Sequence, residues 1–422
     1  MLTGPCALAR SLQPLSLLLL IAAKPLLPAT TITLSQALEL AERTHPQLRV
    51  SAFGVDVAEA GISSAKARPN PAITTQVGRQ MVRIPGNVTG VVQIYGFSQP
   101  LELGALRPTR IQVAERYRDS SRIALSGTRL NILANVRRTF YQVLRHRNEI
   151  GILNENLRLA EELRQKIQVR VDVGEAGRLE LVRAEAEVAT AQTQSNSAQL
   201  RLVDSIAQLG AAIGRPLEPG TVLEGELDPP ALLPPLPELQ QQTVQSHPSI
   251  ALASAESRRA ESVVAYEKAL RRPQPSVRTD YERYPDVPNL RFGIDIPLPL
   301  WNRREGPIAE ALASLRQANA AEEARRLEIL SALEGAYNRY QVATTQLGAF
   351  EKGLLREAEE ALRAAQTAYQ LGERGILEVL DAQRVLRTVR LDFLNAQFDR
   401  EAALIDLDEL RAVDLRAQRS NP

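Results

Sequence analysis

Few side chains in this sequence stand where chemistry would need them. Histidine occurs three times, at His45, His146 and His247, and none lies at a metal-ligand spacing from Cys, Asp or another His. Met1 and Met81 are the two methionines, too few for a thioether relay that hands on soft metals. No phosphate loop, nucleophile elbow or dinucleotide fingerprint is present. The sequence therefore argues against an enzyme, a cofactor and a resident metal site. One acidic pair does have usable spacing. Glu378 and Asp381 lie three residues apart, hence on one face of a helix. Crowded carboxylates persist only where cations, bases or hydrogen bonds compensate them. Arg374, Arg384 and Arg387 are near in sequence, and Arg183 occupies the matching place in the other half. The plainer reading of the pair is a solvated helix face.

The elements that position these acids come from a stretch that occurs twice. Residues 173–185 read VGEAGRLELVRAE and residues 371–383 read LGERGILEVLDAQ, at an offset of 198 residues. Gly174 meets Gly372, Gly177 meets Gly375, and Leu179, Glu180 and Ala184 meet Leu377, Glu378 and Ala382. Two glycines three apart end one helix and start the next, because glycine takes the left-handed backbone conformation cheaply. Each copy predicts the tip of a long helical hairpin, with Val173 and Leu371 as small apolar patches beside it. Two tips half a chain apart indicate internal duplication.

Composition agrees. Only 4% of the 422 residues are aromatic and 24% are charged, which suits long helices better than a thick globular core. A net charge of +2 excludes a polybasic nucleic-acid surface. The single cysteine, Cys6, falls in a stretch that reads as a secretory leader: Arg10, an apolar run from Leu15 to Ala23, and a Leu27-Pro28-Ala29 cleavage site. Cys6 precedes the apolar run, so it is no lipid attachment site, and the mature chain is expected to begin near Thr30. That run is too short to span a bilayer as a helix and there is no longer one elsewhere, so any membrane crossing must use strands.

Taken in order, residues 33–67 predict a helix with Ser35 as a possible cap, stopped at Arg68-Pro69-Asn70-Pro71. Ile73, Thr75 and Val77 alternate, as do Val92, Ile94 and Tyr95 around a turn over residues 84–90, giving a hairpin. A helix over residues 109–171 follows, then the first tip. The return helix carries the seam Leu179, Val182, Ala186, Ala189, Thr193, Asn196, Leu200 and Val203. The second half repeats this order. His247-Pro248 matches His45-Pro46, strands over Val277–Tyr281 and Phe292–Ile296 flank a turn, and a helix is expected over residues 304–370. The last helix has the seam Val379, Ala382, Leu386, Val389, Phe393, Ala396, Ala403, Leu407 and Leu410. The sequence thus divides into a leader (1–29), a first repeat (30–213), a Pro-rich linker (214–237), a second repeat (238–413) and a tail (414–422). The fold class is mainly α with a small β part. Four strands cannot close a barrel, and lipid tolerates no open edge, so several chains must pool strands; three would supply twelve.

The chain resembles the outer-membrane efflux channel family, the TolC-like proteins, and within it the branch that serves heavy-metal and cation exporters. The resemblance covers residues 33–413. It rests on the ALELAERTHPQL opening, the RPNP and RPQP helix ends, the GFSQPLELG and GIDIPLPLWNRREGPIAEA passages and both GExG tips, in that order and duplicated. It implies a homotrimer with a twelve-stranded barrel in outer-membrane lipid and an α-helical tunnel across the periplasm. It also implies a periplasmic adaptor, which would dock on the tips, and an inner-membrane pump of the RND type. In such a trimer Glu378 and Asp381 would ring the periplasmic mouth as a gate. Only Glu180 of the pair recurs in the first repeat, where Arg183 replaces the second acid. A drug-efflux or protein-secretion duct of the same fold, and a soluble periplasmic coiled-coil scaffold, are the competing functions.

Overall fold

The computed structural model describes residues 31–81, 88–218, 220–225 and 233–413. The expected leader and tail, and part of the first strand turn and of the linker, lie outside them. A short strand β1 (Thr31–Thr33) leads into α1 (Leu34–Thr44). Thr33, not Ser35, caps α1: its side chain accepts the Gln36 N–H, and the Gln36 side chain returns a bond to the Thr33 backbone. The single helix expected over residues 33–67 is two, α1 and α2 (Pro46–Lys66). Pro46 has no N–H to give and holds His45 extended, at ψ 121°. His45 both ends α1 and starts α2, its Nδ1 accepting the Gln47 N–H at 3.1 Å.

Strands β2 (Ala72–Arg79) and β3 (Val91–Pro100) form the first hairpin. Helix α3 (Leu106–Asp172) then runs 67 residues, about 100 Å at about 1.5 Å per residue. Helix α4 (Arg178–Ile213) returns from the tip, and β4 (Val222–Glu224) pairs in parallel with β1. The second half has α5 (Leu236–Ser246), α6 (Pro248–Leu270), β5 (Ser276–Arg283) and β6 (Pro288–Asp295). Between α5 and α6, His247 repeats the His45 cap, accepting the Ser249 N–H at 3.1 Å. The expected helix over residues 304–370 is broken. Helix α7 (Glu305–Ala349) and α8 (Leu355–Gln370) are separated by a π-turn, Phe350–Leu354, in which Gly353 sits at φ 141°. Only glycine adopts that backbone without strain. Helix α9 (Ile376–Leu410) ends the fold.

The four long strands make one antiparallel sheet in the order β2-β3-β5-β6, with both outer edges unpaired. Its register sorts the two faces. Ile73 stands opposite Phe97, Tyr95 opposite Tyr281, Val277 opposite Ile294 and Thr279 opposite Phe292, so these side chains share one face. The reverse face carries Gln76, Gly96, Arg278, Asp280, Glu282 and Arg291. Val92 and Ile94 point to this polar face and Tyr95 to the apolar one, so the three do not act together. On the apolar face Ile73 is 80% exposed and Phe292 76%, which is the reverse of a water-soluble sheet.

Midway along the helices, Phe140, Leu209, Ile213 and Ile405 pack a core under α1. Within it Arg137 of α3 reaches two acids of α9, Asp408 at 3.2 Å and Glu401 at 3.5 Å, and Glu401 is fully buried. The α9 seam is largely covered, with Val379, Leu386, Ala396, Ala403 and Leu407 buried. The α4 seam is not. Every residue of the expected stripe from Leu179 to Val203 is exposed, and α4 instead turns Ala184, Glu187, Ala191, Ser195 and Ala198 towards α3. Small residues allow the two helices of the hairpin to approach closely, and that contact took the inner face.

Candidate functional site: the paired hairpin tips

The tips close by glycine chemistry. Gly174 at φ 80° and Gly372 at φ 75° are left-handed. The Glu175 N–H then bonds to the Arg170 carbonyl at 2.8 Å, and the Glu373 N–H to the Ala368 carbonyl at 3.0 Å, satisfying helix-end carbonyls. The second glycine of each pair differs from expectation. Gly177 (φ −79°) and Gly375 (φ −81°) are extended helix N-caps, a conformation open to other residues. Val173 and Leu371 are exposed at the ends of their helices.

The two tips lie side by side. Leu163, Ile167 and Ala184 of the first hairpin pack with Leu362, Ile376 and Val379 of the second. Arg170 lies over the Tyr369 ring, 4.9 Å from its centre, and the Tyr369 hydroxyl donates to Glu180 at 2.9 Å. Burial, and then the bond to the Glu180 carboxylate, push the Tyr369 phenol above its usual pKa. A cavity of about 430 Å³ opens between the hairpins, lined by Leu163, Val169, Tyr369 and Val379 with Glu162 and Lys166 at its rim.

Glu378 and Asp381 both stand exposed in the first turns of α9. Neither forms an ion pair or hydrogen bond among the described residues. Two of the four bases expected to pin them are engaged elsewhere: Arg384 at 2.8 Å and Arg387 at 3.4 Å both reach Glu187. Glu187 is buried in the small-residue face of α4, so it needs those cations more than the solvated acids do. Sequence reasoning missed Glu187, Arg170 and Tyr369. A carboxylate inside the Ala184–Ala191–Ala198 stripe was the one legible signal; the Arg170–Tyr369 contact spans 199 residues and leaves no local trace. Among the described residues no group of His, Cys, Asp and Glu is arranged to hold a metal ion.

Comparison with known proteins places this geometry. The family profile "Outer membrane efflux protein" matches residues 37–215 and 239–412. The cobalt-zinc-cadmium resistance protein CzcC of Cupriavidus metallidurans is 29% identical over 391 residues, 90% of each chain. The nickel-cobalt-cadmium resistance protein NccC of Alcaligenes xylosoxydans xylosoxydans is 26% identical over 322 residues, 75% of this chain and 71% of its own. Among solved structures CusC superposes with a TM-score of 0.74 at 17% identity, covering 90% of this chain and 91% of its own, which establishes the shared fold.

Proposed function

The chain belongs to the outer membrane efflux protein family, and on that premise we propose that it is the exit duct of a tripartite system exporting heavy-metal cations. Three copies pool their sheets into a twelve-stranded barrel, and their helical hairpins form a tunnel reaching into the periplasm. The observation that carries the reading is the sheet at one end of helices about 100 Å long: apolar on one face, polar on the other, and unpaired at both edges. A lone chain leaves those edges unsatisfied in lipid, whereas three in a ring satisfy them all. The two repeats, residues 30–213 and 238–413 joined by the Pro-rich linker, supply one hairpin each to wall and tunnel.

At the far end, the tips at Val173, Gly174, Gly177, Leu371, Gly372 and Gly375 receive the periplasmic adaptor, which links the duct to an inner-membrane RND-type pump. Glu378 and Asp381 ring the mouth. Among the described residues they have no partner, which leaves six carboxylates per trimer available to cations and to the adaptor. The metal cargo is inferred from the resistance proteins CzcC and NccC. The test is complementation of a cell lacking its own metal-exporting duct but retaining the matching adaptor and pump. Restored growth on cobalt, zinc or cadmium salts, with lower cell-associated metal, is expected. Restored drug resistance or protein secretion without metal tolerance would assign the duct to another cargo.

A further inference from the structure

The apolar face of the sheet is shorter than a membrane. Its eight-residue ladders span about 27 Å along the strand, or about 21 Å after a tilt near 40°. The apolar band of an outer-membrane barrel is about 25 Å tall. The chain extends the band beyond the ladder on the side of the long helices. On β3 the apolar parity of Tyr95 and Phe97 continues into Leu101 and Leu103. On β6 the parity of Leu290, Phe292 and Ile294 continues into Ile296, Leu298 and Leu300, followed by Trp301. All of these loop residues are exposed, and Trp301 is 95% so. Trp301 is also the single tryptophan of the chain.

Three of the four strand–helix junctions at this level carry Lys66, Arg68, Arg271, Arg272 and Arg303, all exposed and none paired with an acid among the described residues. By contrast Arg110 and Arg304, at the same level, are held by Glu102 and Glu267. The loop after β3 is tied there to the α6–β5 junction: the Leu101 N–H bonds to the Pro275 carbonyl and the Leu103 N–H to the Gln274 side chain, both at 2.8 Å. An exposed apolar and aromatic rim next to unpaired cations is the complement of a phospholipid interface.

We propose that this collar binds anionic phospholipid of the periplasmic leaflet, with Trp301 and its neighbouring leucines at the acyl boundary and the unpaired arginines on the phosphates. The proposal rests on the sheet being the membrane wall. It explains why unpaired cations cluster at this level, and it makes lipid composition a determinant of barrel seating.

The test uses the full chain reconstituted into vesicles of phosphatidylcholine alone or mixed with phosphatidylglycerol, each lipid brominated in turn. Blue-shifted Trp301 emission, quenched by bromination near the headgroup end of the chains and more strongly by the brominated phosphatidylglycerol, is expected. Each cation facing anionic lipid favours it about fivefold, so R271S/R272S/R303S should weaken the preference by up to roughly a hundredfold. The wild-type emission alone decides if that variant fails to fold. Channels that insert and conduct while Trp301 stays water-like, or is quenched equally by both lipids, would overturn the collar and leave the membrane wall standing. A chain that does not insert would overturn both.

Discussion

His45 and His247 each accept a backbone N–H through Nδ1, which a protonated imidazole cannot do. Burial lowers the pKa of both, and Arg325 lowers that of His247 further. The unfolded chain therefore binds more protons than the folded one between the folded pKa values and about 6.5, and stability falls as pH drops through that window. Replacing both by Asn keeps a side-chain cap and removes the titration. Thermal melts at about pH 8 and about pH 5.5 should show a smaller acid-induced loss in the Asn variant than in the wild type. The acidic pair Glu378 and Asp381 makes a second residue-scale prediction. Glu378 and Asp381 are exposed and have no partner among the described residues, so removing them costs little stability, within about 0.5 kcal/mol. The E378A/D381A channel should show higher resting conductance in a planar bilayer, weaker cation selectivity and weaker block by divalent cations. Recordings that match the parent in all three would return the pair to an ordinary solvated face.

Among the elements, the tips are where a small change should separate assembly from export. An Asp at Gly174 or Gly372 meets no steric neighbour within 4 Å, but it must adopt a left-handed backbone at a local cost of about 1–2 kcal/mol. That strain is confined to the hairpin end, far from the sheet. G174D/G372D should therefore form heat-modifiable trimers in the outer membrane while export fails. Export at the parental rate would show that the tips do not dock a partner. These turns were legible because glycine spacing is a local signal, as were the strands. The π-turn was not. Gly353 lies among residues that read as uninterrupted helix, and its positive φ falls in the turn where Phe350 packs on Phe393 of α9 at 5.7 Å, a contact with no local trace in the sequence.

For the whole molecule, the exposed stripe on α4 is the strongest sign of what one chain lacks. Leu200 is 73% exposed and Val203 66%, in line with Leu179 and Val182 over more than twenty residues of helix. Such a stripe is a coiled-coil seam without its second strand, and a neighbouring protomer of the tunnel would supply it. L200K/V203K should leave the single chain folded, since both sites face solvent there, and should break the trimer. Detergent-corrected light scattering reads the difference. A variant that stays trimeric would place the subunit contact elsewhere.

The sequence by itself determined where the chain is helical, though not the breaks at Pro46 and Gly353, and it determined both tips, the duplicated order and the presence of two strand pairs, because each is written in spacing over a few residues. It also showed that α4 carries an apolar stripe. Only the tertiary structure decided that this stripe faces away from α3, because periodicity marks a face as apolar without saying which neighbour covers it. The same holds for the sheet. Alternation predicted strands of modest apolarity, and the register across four strands from both halves aligned Ile73, Phe97, Val277 and Ile294 into one lipid-compatible face. Arg384 and Arg387 went to Glu187, about 200 residues away, and not to the acids beside them. A buried carboxylate outbids exposed ones for a cation, and burial is a property of the fold.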